Sequence, residues 1–154
     1  MRITDLLTTA LVYPAMDAPD KEQAIRRMCE AASGAAGTEM GERIYRSVMD
    51  RERIMSTGVG KGLGIPHGKV SGLEGNIIVY ARLVRPIDFG SIDGMPVNMI
   101  FLVVGPEAES GTHIRLLSRI SRLMNNDAFR DRLAACPDAP SIIRLCEEEE
   151  RLHP

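Results

Sequence analysis

The sequence predicts an α/β fold in which helices flank a small sheet, and three observations support this prediction. Apolar residues recur at helical spacing near the beginning and near the end of the chain. Between these segments lie two β-rich runs, 76–84 and 97–104, bounded by Gly, Pro and Asp. The 154 residues contain no internal repeat and no long linker, so a single domain over 1–154 is expected.

Two helices are predicted before the first β-rich run. The first runs from about Asp20 to Ser33, because Asp20 begins a capping-box pattern and apolar residues follow at helical intervals. Gly34 and Gly37 are expected to end it. Thr38 is expected to cap the second helix, whose apolar face consists of Met40, Ile44, Tyr45, Val48 and Met49.

Two further helices are predicted after the second β-rich run. Apolar residues at helical spacing over 116–124 predict an amphipathic helix with arginines on its opposite side. A last helix is predicted from about Asp138, and it runs into four glutamates at 147–150. Such a charge run is typical of a solvated helix end.

Composition excludes several classes of protein. The 19 basic and 21 acidic residues give a net charge of −2, so neither nucleic acid nor an anionic membrane surface is an expected partner. The three cysteines lack C-x-x-C spacing, which predicts no disulfide framework, no zinc site and a reducing cytoplasmic compartment. The N-terminus lacks a signal-peptide pattern and the longest apolar run, 99–104, is too short to span a bilayer. Direct membrane insertion is therefore not expected.

The most unusual stretch is STGVGKGLGIPHGKV at residues 56–70, in which every second position from 58 to 64 is glycine. It fails both nucleotide-binding patterns. Lys61 is followed by Gly62 instead of the hydroxyl residue of a Walker A loop, and the third glycine of a dinucleotide fingerprint is missing. The stretch therefore predicts no nucleotide site.

His67 follows this glycine run and has two possible interpretations. It can be a strand-end histidine satisfied by one hydrogen bond. Alternatively, Pro66 fixes the direction of the chain and Gly68 removes bulk behind the ring, which would leave the imidazole exposed in a shallow setting. A histidine with a pKa near its usual value of about 6.5 is largely neutral and nucleophilic at cellular pH.

Two other residues are candidates for contact with an anion. Ser110 is a plausible N-cap, which would place His113 in the first turn of a helix, where free N–H groups favour negative charge. Simple packing at a helix start explains His113 equally well. Arg51 carries a guanidinium fork that suits phosphate, although an arginine in the charged run 50–53 is usually a solvated helix end.

Several of these motifs together resemble a known family. Arg51-Glu52, STGVG at 56–60, Gly62 and IPHG at 65–68 are similar to the signature of mannitol/fructose-class IIA proteins of the bacterial phosphoenolpyruvate-dependent sugar phosphotransferase system. The nitrogen-regulatory branch is the most similar. The resemblance continues through IDFGSIDG at 87–94 and the segment 106–123, and so covers nearly the whole chain.

The resemblance implies a three-layer α/β fold and a phosphohistidine relay. By this resemblance His67 is the phosphoryl acceptor, His113 stabilises the phosphoryl group, and Arg51 stabilises its charge. The donor would be the phosphocarrier HPr or a nitrogen-branch paralogue, and no nucleotide, metal or organic cofactor is implied. The recipient would be a separate IIB protein or a regulated target protein.

Two positions depart from the family pattern. Lys61 stands where asparagine is common and Gly64 where alanine is common. Lys61 either places a positive charge near the incoming phosphate or is a solvated loop lysine. For the glycines at 58–64, we hypothesise that the absence of side chains lets a donor protein approach closely.

Four functions remain open from the sequence. The leading one is a phosphoryl relay with a regulatory, nitrogen-type role, and its alternative is a sugar-specific IIA component that passes phosphate to a separate IIB protein. A regulatory binding module would use phosphorylation of His67 as a signal without onward transfer. A scaffold that has lost transfer is the weakest interpretation, because His67, His113 and Arg51 all remain.

Overall fold

A computed structural model describes all 154 residues, and its centre is a six-stranded mixed sheet. The strands are β1 Val12–Met16, β2 Gly58–Gly60, β3 Leu63–Gly64, β4 His67–Val70, β5 Ile77–Ile87 and β6 Val97–Pro106. The order is β1-β5-β6-β3-β2, and β4 also pairs with β6. Strands β5 and β6 form an antiparallel pair, while β1 runs parallel to β5, and β3 and β4 run parallel to β6.

Five helices cover the two faces of the sheet. Alternate residues of β6 point to opposite faces, so Ile100 and Leu102 belong to one hydrophobic core and Phe101 and Val103 to the other. The first two helices pack in one core and the last three in the other, which confirms the three-layer α/β prediction. The helices are α1 Lys21–Ala36, α2 Gly41–Ile54, α3 Ser110–Met124, α4 Asp127–Ala135 and α5 Ala139–Leu152.

The boundaries of the first two helices differ from the predictions. Asp20 caps α1 by accepting a hydrogen bond from the backbone N–H of Gln23, but the helix continues past Gly34. It ends at Gly37, whose φ of 118° suits glycine. Thr38 caps no α-helix, because residues 38–40 form a 3-10 turn before α2 begins at Gly41.

Most of the secondary-structure elements that were not predicted from the sequence are short. Strands β1 to β4 each have two to five residues, too few for a clear alternating pattern. Helix α4 was also missed, although Asn126 caps it by accepting from the N–H of Phe129. Ser110 is the first residue of α3 and not its cap, and its hydroxyl donates to the carbonyl of Glu107.

The prediction that 147–150 is a solvated helix end is wrong for half of that run. Glu149 and Glu150 are buried, and Glu150 is fully inaccessible. The Glu150 carboxylate accepts from the backbone N–H of Ile3 and of Thr4, both at 2.9 Å, and from the Thr4 hydroxyl at 2.8 Å. Arg119 adds a cation at 3.7 Å. The buried charge is tolerated because donors from the N-terminal turn surround it.

None of the five helices combines the length and the apolar character needed to cross a membrane.

Candidate functional site

His67 opens into a cavity of about 590 Å³. The end of α2 supplies Arg51 to its wall, and the segment 55–59 follows directly. Gly90 and Ile92 line the cavity from the loop between β5 and β6, and α3 contributes Leu117 and Ser121. Four separate parts of the chain therefore meet around one imidazole.

The backbone on either side of His67 is fixed by the sheet. The carbonyl of Pro66 accepts from the N–H of Val103 at 3.1 Å, and the N–H of Ile65 donates to the carbonyl of Thr57 at 3.0 Å. His67 then begins β4, opposite Val103 of β6. The ring is consequently carried by a strand anchored in the centre of the molecule.

One nitrogen of His67 is hydrogen-bonded and the other is not. Nδ1 lies 2.8 Å from the carbonyl oxygen of Ile65. Because a carbonyl can only accept, Nδ1 carries the proton in this arrangement and the neutral ring keeps its lone pair on Nε2. The single hydrogen bond expected of a strand-end histidine is therefore present, and it leaves Nε2 available as a nucleophile.

The surroundings of His67 favour the neutral ring. Burial lowers the pKa of His67, and the Arg51 cation lowers it further, while the Ile65 hydrogen bond and the Glu52 carboxylate act in the opposite direction. The side chain is half-buried and not exposed as the sequence predicted, because the cavity walls rise around it. At neutral pH the ring is an uncharged nucleophile.

His113 lies beside His67. The ring centroids are 5.7 Å apart and the ring planes are inclined by 54°. His113 is only 4% exposed, yet neither of its ring nitrogens has a hydrogen-bond partner. Burial, followed by the charges of His67 and Lys69, lowers the pKa of His113 to about 4. Buried ring nitrogens normally have a hydrogen-bond partner. The two nitrogens of His113 have none, so both are available to bind a group placed beside the ring.

The side chains of Asn76 and His113 both approach the backbone of Gly105, which carries no side chain of its own. A Cβ atom at Gly105 would lie 2.1 Å from Oδ1 of Asn76 and 3.5 Å from Nδ1 of His113. Asn76 is buried and its Oδ1 also has no partner. A second unsatisfied polar group therefore lies close to the ring of His113.

Arg51 is held at the edge of the cavity and is not a freely solvated helix end. Its guanidinium donates to the carbonyl of Met55 at 2.8 Å, which turns the side chain along the segment that leaves α2. A guanidinium has five N–H donors, so others remain for an anion. The structure thus brings Arg51, His67 and His113, all three candidates from the sequence, to one region.

The glycines before His67 have a structural role that the sequence analysis did not predict. A Cβ atom at Gly58 would meet the Ser91 hydroxyl at 2.3 Å, and one at Gly64 would meet the Phe89 ring at 3.0 Å. Gly60 and Gly62 have φ values of 97° and 78°. Internal packing and backbone conformation explain all four glycines without a docked protein.

Lys61 does not line the cavity of His67. It has a φ of 59°, its N–H donates to Asp93 at 3.0 Å, and its Nζ donates to Asn125 at 2.6 Å. Together with Arg122 it lines a different hollow on the surface. The interpretation as an exposed loop lysine agrees with this position better than a charge directed at the phosphate.

Lys69 and Glu52 were missed by the sequence analysis. Lys69 lies two residues after His67 on β4, and its Nζ is 3.3 Å from the Ser110 hydroxyl at the start of α3. Side chains two apart on a strand share a face, and this signal was available from the sequence. Glu52 is buried behind the cavity, and the sequence analysis used it only as part of the Arg51-Glu52 motif, without a role of its own.

No three His, Cys, Asp or Glu side chains lie close enough together to hold a metal ion. The cavity is lined by the imidazole of His67 and the guanidinium of Arg51, and the imidazole of His113 and the ammonium group of Lys69 lie beside it.

Comparison with known proteins assigns this arrangement to a family. Residues 5–149 match the family described as "Phosphoenolpyruvate-dependent sugar phosphotransferase system, EIIA 2". A nitrogen regulatory protein of Bradyrhizobium diazoefficiens is 40% identical over 143 residues, which cover 92% of each chain.

Two solved structures share the fold. The nitrogen regulatory protein IIA-Ntr of Neisseria meningitidis superposes with a TM-score of 0.86 at 23% identity, covering 94% of this chain and 98% of the other. IIA-mannitol of Escherichia coli, in complex with phosphorylated IIB-mannitol, superposes with a TM-score of 0.77 at 18% identity, covering 92% and 97%. The chain belongs to the EIIA type 2 family of the phosphoenolpyruvate-dependent sugar phosphotransferase system.

Proposed function

We propose that this protein accepts a phosphoryl group on Nε2 of His67 from HPr or a nitrogen-branch paralogue, as a phosphotransfer component with a regulatory role. The single observation that carries the proposal is the Ile65 hydrogen bond. It occupies Nδ1 of a ring whose pKa is lowered, and so leaves Nε2 as an unprotonated nucleophile facing a cavity.

The transfer requires little covalent chemistry from the protein. Nε2 of His67 attacks phosphorus, the new N–P bond forms as the N–P bond to the donor histidine breaks, and the electron pair returns to the donor ring. No proton has to leave Nε2, because it carries none. The proton on Nδ1 stays on its hydrogen bond to Ile65, so positioning and charge stabilisation are what the site supplies.

His113 and Arg51 are the groups that stabilise the added negative charge in this proposal. A neutral His113 offers one N–H, and that donor has no competing partner within the protein. Arg51 offers the N–H groups that its Met55 contact leaves free. His113 is buried and Arg51 is half-buried, and interactions with a charged group are stronger in such surroundings than at an open surface.

A protein donor needs a surface on which to dock, and the rim of the cavity provides one. Three large apolar side chains there are exposed: Met55 by 70%, Val59 by 51% and Ile92 by 87%. Exposed apolar groups clustered around a polar centre are typical of protein interaction sites. We propose that the phosphocarrier covers this rim during transfer.

The regulatory role is favoured by the 40% identical nitrogen regulatory protein, which aligns over 92% of both chains. The second candidate is a sugar-specific IIA component, and the structural similarity to IIA-mannitol bound to IIB favours it. None of the three cysteines lines the cavity of His67, so none of them is placed to take the phosphoryl group from it.

The site of the phosphoryl bond can be read by NMR spectroscopy of the 15N-labelled protein after phosphorylation. We expect a phosphorus–nitrogen coupling at Nε2 of His67 and a retained proton on Nδ1. A phosphoryl group on Nδ1, or on another residue, would contradict the proposed mechanism. Incubation with candidate IIB proteins then separates the two roles, because rapid loss of phosphate to a IIB cysteine supports sugar transfer and its persistence supports regulation.

A further inference from the structure

The strongest feature outside the proposed chemistry is a buried carboxylate directly behind the cavity. The side chain of Glu52 is 2% exposed. Its Oε2 atom lies 2.8 Å from Nζ of Lys21 and accepts from the backbone N–H of Thr57 at 2.7 Å. Its Oε1 accepts from the hydroxyl of the same threonine. One carboxylate thus joins the end of α2 to the start of α1 and to the segment that lines the cavity.

The Glu52 contacts continue into the opposite wall of the cavity. Lys21 donates to the carbonyl of Phe89 at 3.1 Å and lies 4.6 Å above the Phe89 ring. The Ser56 hydroxyl donates to the same carbonyl at 2.6 Å and accepts from the N–H of Gly58 at 3.0 Å. Segment 55–59 and the loop containing Gly90 and Ile92 are therefore fastened to each other through this network.

The stability of the fold alone does not explain why a carboxylate is buried at position 52. Burying a carboxylate carries a large desolvation penalty, which ion pairing and hydrogen bonds offset without a clear net gain. Packed apolar residues often stabilise a core at least as well. Three partners within reach of a single buried carboxylate instead define one geometry, because the hydrogen bonds constrain direction as well as distance.

We propose that Glu52 is a positioning residue for phosphoryl transfer, acting through Thr57 and Lys21 and not by contact with the phosphoryl group. It holds segment 55–59 in place, and with it the Met55 carbonyl against which Arg51 is set. It also places a negative charge behind the imidazole of His67. The inference rests on the proposed function, because it assigns a role in the same transfer.

The test compares Glu52→Gln with Glu42→Gln, an exposed glutamate on the same helix. We expect Glu52→Gln to lower the phosphorylation rate at saturating HPr by about tenfold to a hundredfold, with a small change in KM, because misplaced groups reduce the rate of the chemical step. Glu42→Gln should transfer at the wild-type rate. Loss of the Glu52 charge should also lower the pKa of His67, measured by NMR titration of the unphosphorylated protein, which a purely structural role would not require.

Thr57→Val provides a second variant in case Glu52→Gln does not fold. It removes the hydroxyl and keeps the backbone N–H, and we expect it to lower the transfer rate by a smaller factor. If the wild type is phosphorylated but a folded Glu52→Gln transfers at the wild-type rate with an unchanged His67 pKa, the inference alone is overturned. If Glu52→Gln does not fold, a wild-type transfer rate in folded Thr57→Val has the same meaning. Absence of phosphorylation in the wild type would overturn the proposed function, and the inference with it.

Discussion

The imidazole rings of His67 and His113 lie side by side with their centroids 5.7 Å apart, one carried by β4 and the other by the first turns of α3. Only His67 has a hydrogen bond, and it uses Nδ1. The two rings therefore differ in what they can do. His67 has a free lone pair in a cavity, whereas His113 has an unpaired donor close by.

The first prediction concerns His113. Replacing it with alanine should lower the rate of phosphoryl transfer by about a hundredfold, because one preorganised donor to the charged group is lost. His67 should still become phosphorylated, more slowly. Stopped-flow or quenched transfer from phosphorylated HPr measures the rate, with the exposed Ser118→Ala on the same helix as control. Equal rates for His113→Ala and wild type would show that this ring only packs.

The second prediction separates the two arginines at the end of α2. Arg51→Ala should lower transfer by about tenfold or more, because a guanidinium beside the phosphoryl group is lost. Arg51→Lys should restore only part of the rate, since lysine keeps the charge and loses the planar fork. Arg53 is exposed and pairs only with Asp50, so Arg53→Ala should behave as wild type. Equal losses for both alanine variants would point to a general electrostatic effect.

The third prediction is a pH dependence of stability. An unfolded histidine binds a proton near pH 6.5, whereas the pKa of His113 in the folded protein is about 4. Between these values the unfolded state binds more protons, so the free energy of unfolding falls as pH decreases from about 6.5 toward 4. The part due to His113 is about 3 kcal/mol over this range. Chemical denaturation at several pH values gives the free energy of unfolding of the wild type and of His113→Asn. The difference between the two proteins in the slope of this free energy against pH is the contribution of His113.

The fourth prediction concerns the buried Glu150. Glu150→Ala should reduce the free energy of unfolding by about 3 kcal/mol, because the backbone donors of Ile3 and Thr4 lose their acceptor. Glu147→Ala, at an exposed position on the same helix, should change stability little. Denaturant titration gives both values. A similarly small change in the free energy of unfolding for both variants would contradict this role of Glu150 and would agree with a solvated helix end at 147–150.

The long elements could be predicted from the sequence because their patterns are long. Helix α3 and the two central strands each present ten or more residues, enough for a helical or buried-strand pattern to appear. Strands β2 and β3 comprise three and two residues. Their existence depends on pairing with each other and with β6, which is tertiary information absent from a short window.

Some residues of the candidate site could likewise be predicted from the sequence, and others could not. His67 could be chosen from its local motif, and the family resemblance supplied the expected places of His113 and Arg51. The burial of Glu52 and Glu150 could not be predicted, because their acceptor role depends on partners distant in the chain or in a turn beyond the helix. The packing role of the glycines was missed for a related reason. Their neighbours Ser91 and Phe89 lie on another loop, so the packing that excludes a Cβ atom is invisible in the sequence.

Intact-mass measurement of phosphorylation tests the central claim most directly. Wild type and His67→Ala are incubated with phosphoenolpyruvate, enzyme I and either HPr or its nitrogen-branch paralogue, and each adduct is then exposed to acid. The account predicts one acid-labile phosphoryl group on the wild type and none on a folded His67→Ala protein. An unmodified wild type with both donors, or a phosphoryl group that persists in His67→Ala, would contradict it.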